Sequence, residues 1–245
     1  MMDTFNGALT LNRTLLLGLH ESPNVVQRGL AVVLLVGLLV GGVKGALTML
    51  NAINPERAIA TTRTELKNFV EEQAQLSSTP EQRAAIDLME DNLEPGLEIW
   101  QATIELPTPL PRPVGAIFRG LGVMVAEPLT YLGNLLLWVI FTHIAARWLG
   151  GQGNIQQMLG LGALSVAPHA LDALAFIPFI GQALGLIASL WGLVILTIGT
   201  SVAHRLEIGR AIMAVVLFPL IGLVLGVLGC CLLFFAIVAL GAGAG

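Results

Sequence analysis

Charged residues are scarce in this chain. Asp, Glu, Lys and Arg together make up 11% of its 245 residues, whereas hydrophobic residues make up 55% and the mean hydropathy is +0.81. A soluble domain needs a polar face on each of its helices, and this composition cannot supply one throughout. The composition therefore predicts a polytopic membrane protein.

Basic clusters and scattered cysteines are also lacking. The 12 Lys and Arg residues form no patch that could follow a phosphate backbone, so we expect no nucleic-acid binding. The two cysteines, Cys230 and Cys231, are adjacent inside an apolar run. Adjacent cysteines rarely form a disulfide, and two thiols alone are too few for a metal site. We expect neither a metal nor a cofactor.

Five apolar segments reach the length of about 20 residues that a membrane-spanning helix needs. They are residues 29–50, 128–148, 155–177, 182–203 and 211–242. The first is interpreted as a signal anchor. Before it, residues 1–28 are predicted to form a cytoplasmic segment in which Phe5 to Leu19 make a short interfacial helix. The fold class is predicted as all-α, with residues 128–245 forming a bundle of the last four spans.

Acidic residues concentrate between the first two spans. The stretch from Asn51 to Arg112 holds 11 of the 16 acidic residues and five of the 12 basic ones. Such a composition indicates a solvated insert, residues 51–127. Helix formers follow Asn54-Pro55-Glu56, which indicates the start of a helix there.

Turn and capping signals divide this insert. Thr79-Pro80-Glu81-Gln82 fits a capping box and predicts a second helix that stops near Pro95-Gly96. Every second residue from Pro107 to Pro113 is proline, which predicts an extended strut. Residues 114–125 are then predicted to lie along the membrane interface.

Arginines in the short loops indicate the orientation. With five spans, Arg13, Arg28, Arg147, Arg205 and Arg210 all fall on one side. The positive-inside rule places that side, and the N-terminus, in the cytoplasm. The insert and the C-terminus are then predicted to lie outside.

One intramembrane carboxylate dominates the search for a site. Between Ile155 and Ala203 the only formally charged residue is Asp172, and His169 and Ser165 precede it by three and seven positions. On an α-helix these three residues share one face. A hydrolytic triad is disfavoured, because one regular helix cannot arrange nucleophile, base and orienting group around a substrate. A proton or cation relay and a purely structural hydrogen-bonded pair both stay open.

Two further sets of residues are candidates for lipid or helix contacts. Basic side chains at span ends could contact anionic head groups: Arg147, His204, Arg205 and Arg210. Glycines spaced by four predict close helix contacts: Gly37, Gly41 and Gly45, then Gly181 and Gly185, then Gly222 and Gly226. These contacts could lie within one chain or form a homo-oligomer seam.

A series of short motifs in the C-terminal half resembles the Yip1 domain. The motifs are Gly150-Gly151-Gln152-Gly153, Gln156-Gln157, Ser165-Val166-Ala167-Pro168, Trp191, Ile198-Gly199, His204 and Gly209-Arg210-Ala211. The resemblance covers residues 128–242, with a weaker extension to the first span. It implies five helices and a cytoplasmic N-terminus. In eukaryotic members it also implies vesicle trafficking, contact with prenylated small GTPases and membrane shaping.

This chain departs from the eukaryotic pattern in its short N-terminal segment and its large insert. Both features are typical of prokaryotic members, which indicates a prokaryotic plasma membrane and argues against GTPase binding. We expect a non-enzymatic scaffold or adaptor that contacts the lipid bilayer and an unidentified membrane or extracytoplasmic protein. The alternative is a transporter or channel for a small solute, proton or lipid that uses Asp172 and His169.

Overall fold

Helices account for all the regular secondary structure in the described part of the chain. The computed structural model describes residues 2–53, 55–105, 110–177 and 180–242. In those residues the α-helices are α1 (Met2–Leu9), α2 (Arg13–His20), α3 (Val25–Ile53), α4 (Pro55–Leu76), α5 (Pro80–Glu105), α6 (Arg112–Trp148), α7 (Ile155–Gly162), α8 (Ile180–His204) and α9 (Ile208–Ala242). A 3₁₀ helix, η1 (Ala163–Leu174), lies between α7 and α8. The all-helical prediction is confirmed.

Within the described residues, four helices are long and apolar enough to cross a membrane. They are α3, α6, α8 and the Ile208–Cys231 part of α9. The predicted spans 29–50, 182–203 and 211–242 lie within α3, α8 and α9. The predicted span 155–177 is not among the four, so the count of five crossings stays a prediction.

The third predicted span is broken rather than regular. The α-helical part ends at Gly162 and continues as η1, so the α-helical spacing expected for Ser165, His169 and Asp172 is not realised. Pro168 has no N–H to donate, and its ring clashes with the carbonyl four residues earlier, which favours the tighter 3₁₀ turn. The two pieces together still measure about 36 Å, against about 30 Å of hydrocarbon in a bilayer.

Contacts at both ends show that α7 and η1 run antiparallel to α6 and α8. Before α7, the N–H of Gln152 donates to the carbonyl of His204 at 3.0 Å, and His204 contacts His143 on α6. Near the end of η1, Tyr131 of α6 bonds to Asp172. Tyr131 and His143 are about 18 Å apart along α6. The broken segment therefore follows its neighbours through most of the bundle.

The N-terminal segment packs into the protein. It forms two helices where one interfacial helix was predicted, and Leu16 and Leu19 of α2 are buried. At the turn between α1 and α2, the carbonyl of Leu9 accepts a hydrogen bond of 3.0 Å from the indole of Trp191 on α8. Leu16 and Leu19 of α2 are thus covered by protein, whereas Leu17 is exposed.

The start of α6 differs from the prediction. It is one helix of 37 residues, so residues 114–125 and the predicted span from Pro128 are continuous. Prolines are tolerated in the first turn of a helix, and Arg112 and Pro113 of the predicted strut accordingly lie in α6. Residues 106–109 of that strut lie outside the described residues. Pro128 lies inside α6, and α3 packs closely against it at Gly37.

The chain divides into two compact units, Met1–Gly41 with Val125–Gly245, and Gly42–Met124. In the second unit, α4 and α5 form a helical hairpin with Ile59, Val70 and Leu97 buried. The predicted capping box is confirmed, because Thr79 Oγ1 and Gln82 Oε1 each accept the other residue's backbone N–H. These bonds begin α5.

Helix α5 continues ten residues further than expected. The predicted stop near Pro95 is wrong, since α5 runs to Glu105 and its extension carries the buried Leu97. Packing against α4 thus outweighs the local cost of a proline. On the exposed side of the hairpin, Glu94 pairs with Lys67 at 3.0 Å and Arg63 at 3.2 Å. The hydrogen bond from Lys67 and the charge of Arg63 lower the pKa of Glu94.

Two glycines of α3 make a matched test of its packing. A Cβ at Gly37 would lie 2.6 Å from the Cα of Pro128, whereas a Cβ at Gly42 meets nothing within 4 Å. Alanine has a higher helix propensity than glycine at both positions, so the two variants differ only in the steric clash with Pro128. We expect Gly37→Ala to lower the free energy of unfolding by about 1–3 kcal/mol. Gly42→Ala should be neutral or stabilising in the same detergent unfolding titration, and an equal loss in both variants would contradict the close contact.

The ion pairs of Glu94 predict a pH response of the hairpin. Because the folded-state pKa of Glu94 is lowered, its stabilisation is present above the usual glutamate pKa of 4.5 and is lost as the pH falls below it. Amide exchange in α4 and α5 should therefore speed up on acidification more in the wild type than in Glu94→Gln. Equal acceleration in both proteins would show that the pair does not hold the hairpin.

Candidate functional site

One oxygen of Asp172 joins two elements of the bundle, η1 and α6. The hydroxyl of Tyr131 on α6 donates to Asp172 Oδ2 at 2.7 Å. Nδ1 of His169, one 3₁₀ turn earlier on η1, lies 2.8 Å from the same oxygen. The rings of Tyr131 and His169 are 5.7 Å apart and tilted by 54°. Helix α8 passes on the other side of Asp172. A Cβ added at Gly185 of α8 would lie 3.8 Å from Asp172 Oδ1, an ordinary van der Waals distance.

These bonds are strong enough to explain how the bundle holds a carboxylate. Insertion scales put Asp at the centre of a membrane helix at a cost of about 2.5–3.5 kcal/mol. Hydrogen bonds to a charged group contribute about 1.5–3 kcal/mol each. The side chains of His169 and Asp172 are only 26% and 20% exposed. Two such bonds are large enough to offset this cost, and the one from Tyr131 also stabilises the packing of α6 against η1.

The structure separates Ser165 from the predicted trio. A 3₁₀ helix has three residues per turn, so His169 and Asp172 share a face whereas Ser165 is rotated by about 120° from His169. In the described residues Ser165 makes no side-chain hydrogen bond to His169. The predicted common face therefore holds for two of the three residues, and the arrangement required of a hydrolytic triad is not formed.

Tyr131 is the functional side chain that the sequence prediction missed. It is the only tyrosine in the chain, and it lies within an apolar segment three residues after Pro128. A lone hydroxyl-bearing aromatic at such a position was a usable signal. Its partner lies 41 residues away, however, and spacing along a single helix could not reveal that contact.

A pocket of about 390 Å³ lies beside His169, between α6, η1 and α8. Its lining combines aromatic, hydroxyl and amide side chains with small apolar ones: Tyr131, Asn134, Leu135, Trp138, Ser165, Val166, His169, Ser189, Gly192, Leu193 and Leu196. Ser165 thus reaches the same pocket as His169 by a different face. Pockets of this size accommodate part of a small molecule or of a lipid.

A second polar contact lies near the end of α6. Nδ1 of His143 and Nε2 of His204 are 3.0 Å apart, so one ring donates and the other accepts. His204 is fully buried, and its Nδ1 has no partner in the described part of the chain. A Cβ at Gly151 would lie 2.7 Å from that nitrogen. Burial therefore keeps His204 from the exposed head-group role predicted for it.

The three arginines predicted at head groups lie around this same end. Arg147 donates to the carbonyl of Gly151 and Arg210 to that of Leu149, each at 3.4 Å. Arg205 is exposed and has a positive φ of 53°. Their contact with lipid stays a prediction, but two of them fix the loop between α6 and α7.

Some of the predicted glycine contacts are present in the structure and others are not. Gly37 lies against Pro128, Gly45 against the carbonyl of Gly120, and Gly181 against the backbone of Ala175. Close contacts outside the predicted set are also made by Gly29, Gly151, Gly153, Gly160 and Gly192.

The remaining predicted glycines do not show this packing. Gly185 has only the ordinary contact with Asp172. Gly222 and Gly226 have open space where a Cβ would be, so packing within the chain does not explain their spacing. A homo-oligomer seam at these two residues, and a packing role for Gly41, stay predictions.

Comparison with known families supports the resemblance noted in the sequence. The family model described as "Yip1 domain" matches residues 84–242, from within α5 to the end of α9. No curated protein and no solved structure matches the chain. The matched segment includes the cluster around Asp172, the pocket and the histidine pair. The family match and the long apolar helices identify a polytopic integral membrane protein, and the chain belongs to the Yip1 domain family.

Proposed function

We propose that the protein is a non-enzymatic membrane scaffold or adaptor that acts through protein and lipid contacts. The observation that carries this proposal is the α4–α5 hairpin, a polar pair of helices with large apolar side chains on its exposed surface. These side chains are Leu66, Phe69, Leu76, Leu88, Met89 and Ile99. Exposed apolar residues rimmed by charge are typical of protein-binding surfaces.

The internal polar groups favour the same proposal. Asp172, the only charged residue of its apolar stretch, is bonded to Tyr131 and His169, which suits a structural role. The Yip1 family is not known for an enzymatic activity. An adaptor needs a stable bundle and a displayed surface, and these are the two features that the chain supplies.

The proposed location is a prokaryotic plasma membrane with the N-terminus in the cytoplasm. Helix α3 would carry the chain across, so that the insert 51–127 lies outside. We propose five crossings in which α7 and η1 together form the third. The antiparallel course of this broken segment along α6 and α8 supports that count. With five crossings the C-terminus would lie outside.

Single cysteines can test the number of crossings. In a Cys230→Ser, Cys231→Ser background, Gln152→Cys, Phe176→Cys and Glu207→Cys each report one loop, since all three positions are exposed. With five crossings, an impermeant maleimide should label positions 152 and 207 from the same side and position 176 from the other. If η1 does not cross, positions 152 and 176 should share a side and position 207 should be opposite.

A carrier of a small solute, proton or lipid is the second candidate function. The pocket beside His169 favours it, because a transport site needs space next to a group that can change its protonation. In such a carrier Asp172 would have to release its bonds during each cycle. In an adaptor those bonds would persist.

Two variants separate an adaptor from a carrier. Asp172→Asn keeps a carbonyl oxygen for Tyr131 and His169 but removes the titratable group. Leu88→Gln with Ile99→Gln removes exposed apolar area from α5 without touching the bundle. For an adaptor, in-cell crosslinking and mass spectrometry should show a protein partner that persists in Asp172→Asn and falls about tenfold in the α5 double variant.

The control for the α5 variant is Glu90→Gln with Glu98→Gln, which changes exposed polar residues of the same helix. The partner should be retained in this control. A partner that survives loss of the apolar side chains would contradict the adaptor proposal. Loss of a co-purified lipid or solute only in Asp172→Asn would support the carrier instead.

A further inference from the structure

The pocket between α6, η1 and α8 differs from the apolar surface around it. Among the described residues that line it, none is Lys or Arg, and the side chains with polar groups are Tyr131, Asn134, Trp138, Ser165, His169 and Ser189. Asn134 and Ser189 are exposed, so the pocket opens sideways from the bundle. It therefore offers uncharged hydrogen-bonding groups at a surface that otherwise faces lipid chains.

The amide of Asn134 requires a partner that the described residues do not provide. It makes no side-chain hydrogen bond within them, although it lies on a helix long and apolar enough to span the membrane. Along α6 it is about 21 Å from Trp148, well inside the apolar layer. An unsatisfied amide in hydrocarbon costs several kcal/mol, which a polar group entering the pocket would remove.

His169 supplies a complementary acceptor. A carboxylate only accepts, so the bond to Asp172 assigns a ring proton to Nδ1, and in the neutral ring Nε2 is then an acceptor. Gly192 keeps the space beside this nitrogen open, because a Cβ there would lie 3.6 Å from Nε2. A hydroxyl group in the pocket could donate to His169 and accept from Asn134.

We propose that this pocket binds a neutral lipid with a free hydroxyl group, of the diacylglycerol type. The hydroxyl group lies between His169 and Asn134, and the acyl chains leave through the lateral opening. A phosphate is disfavoured, since no cation in the lining would pair with its charge. Asp172 adds no cation and is already bonded to Tyr131. This site is independent of the adaptor proposal, which rests on the α4–α5 hairpin.

Photolabelling of the full chain in phosphatidylcholine vesicles tests the proposal. The probe is a diacylglycerol with a diazirine in one acyl chain, and labelled peptides are mapped after irradiation. We expect labelling on the pocket-lining parts of α6, η1 and α8. An excess of unlabelled dioleoylglycerol should suppress it, whereas dioleoyl phosphatidic acid, with the same chains and a phosphate, should not.

Asn134→Leu is the decisive variant, because it removes the amide and suits an apolar helix. Labelling at the pocket should fall about fivefold, the equivalent of one lost hydrogen bond of about 1 kcal/mol. The matched control is Thr130→Leu on the same helix, whose exposed hydroxyl bonds to the carbonyl of Ala126 and does not line the pocket. Its labelling should equal that of the wild type.

Three results would overturn the proposal. Labelling that no competitor suppresses would show that the pocket holds only water and that the probe reports bulk lipid. Equal competition by phosphatidic acid would show that the hydroxyl group is not recognised. Unchanged labelling in Asn134→Leu would remove the amide from the site. Loss of the hairpin's protein partner affects none of these readouts, so the two proposals fail separately.

Discussion

An apolar layer offers no hydrogen-bonding solvent, and this constraint governs the interior of the bundle. Each polar group there needs a partner within the protein or in a bound molecule. Asp172 meets the constraint through a single oxygen that contacts Tyr131 on α6 and His169 on η1. Because the bond from Tyr131 is only 2.7 Å long, α6 and η1 can shift little without breaking it. This bond thus fixes the register of α6 against η1.

Short bonds between helices require backbones that come close, and small residues make this possible. Gly192 lies against the carbonyl of Ser165, which brings α8 close to η1, and Gly29 meets Gly160 where α3 crosses α7. Nearer its own N-terminus, α8 passes beside Asp172 at Gly185. The glycines therefore do more than permit dense packing, since they set the helix separation at which side-chain bonds reach. Membrane helices commonly associate in this way.

Hydropathy predicted most of the helices because length and apolarity are local properties. It failed where tertiary contacts or proline chemistry decide the outcome. Helix α5 continues past Pro95 because its extension buries Leu97. Helix α6 continues through Pro128, against which Gly37 of α3 packs closely. The same limit applies to the site. The pairing of His169 with Asp172 could be predicted from spacing, whereas Tyr131 joins them across 41 residues, a distance over which periodicity carries no information.

The 3₁₀ geometry of η1 connects the fold to the site. With three residues per turn, His169 lies directly beneath Asp172, and its other nitrogen is left for the pocket. On a regular α-helix Ser165 would instead have joined that face. Long 3₁₀ segments are uncommon because their hydrogen bonds are poorer. In η1 the poorer backbone hydrogen bonds are accompanied by two strong side-chain bonds to Asp172. The twelve residues of η1 therefore carry both the cost of the 3₁₀ geometry and the stabilisation from these bonds.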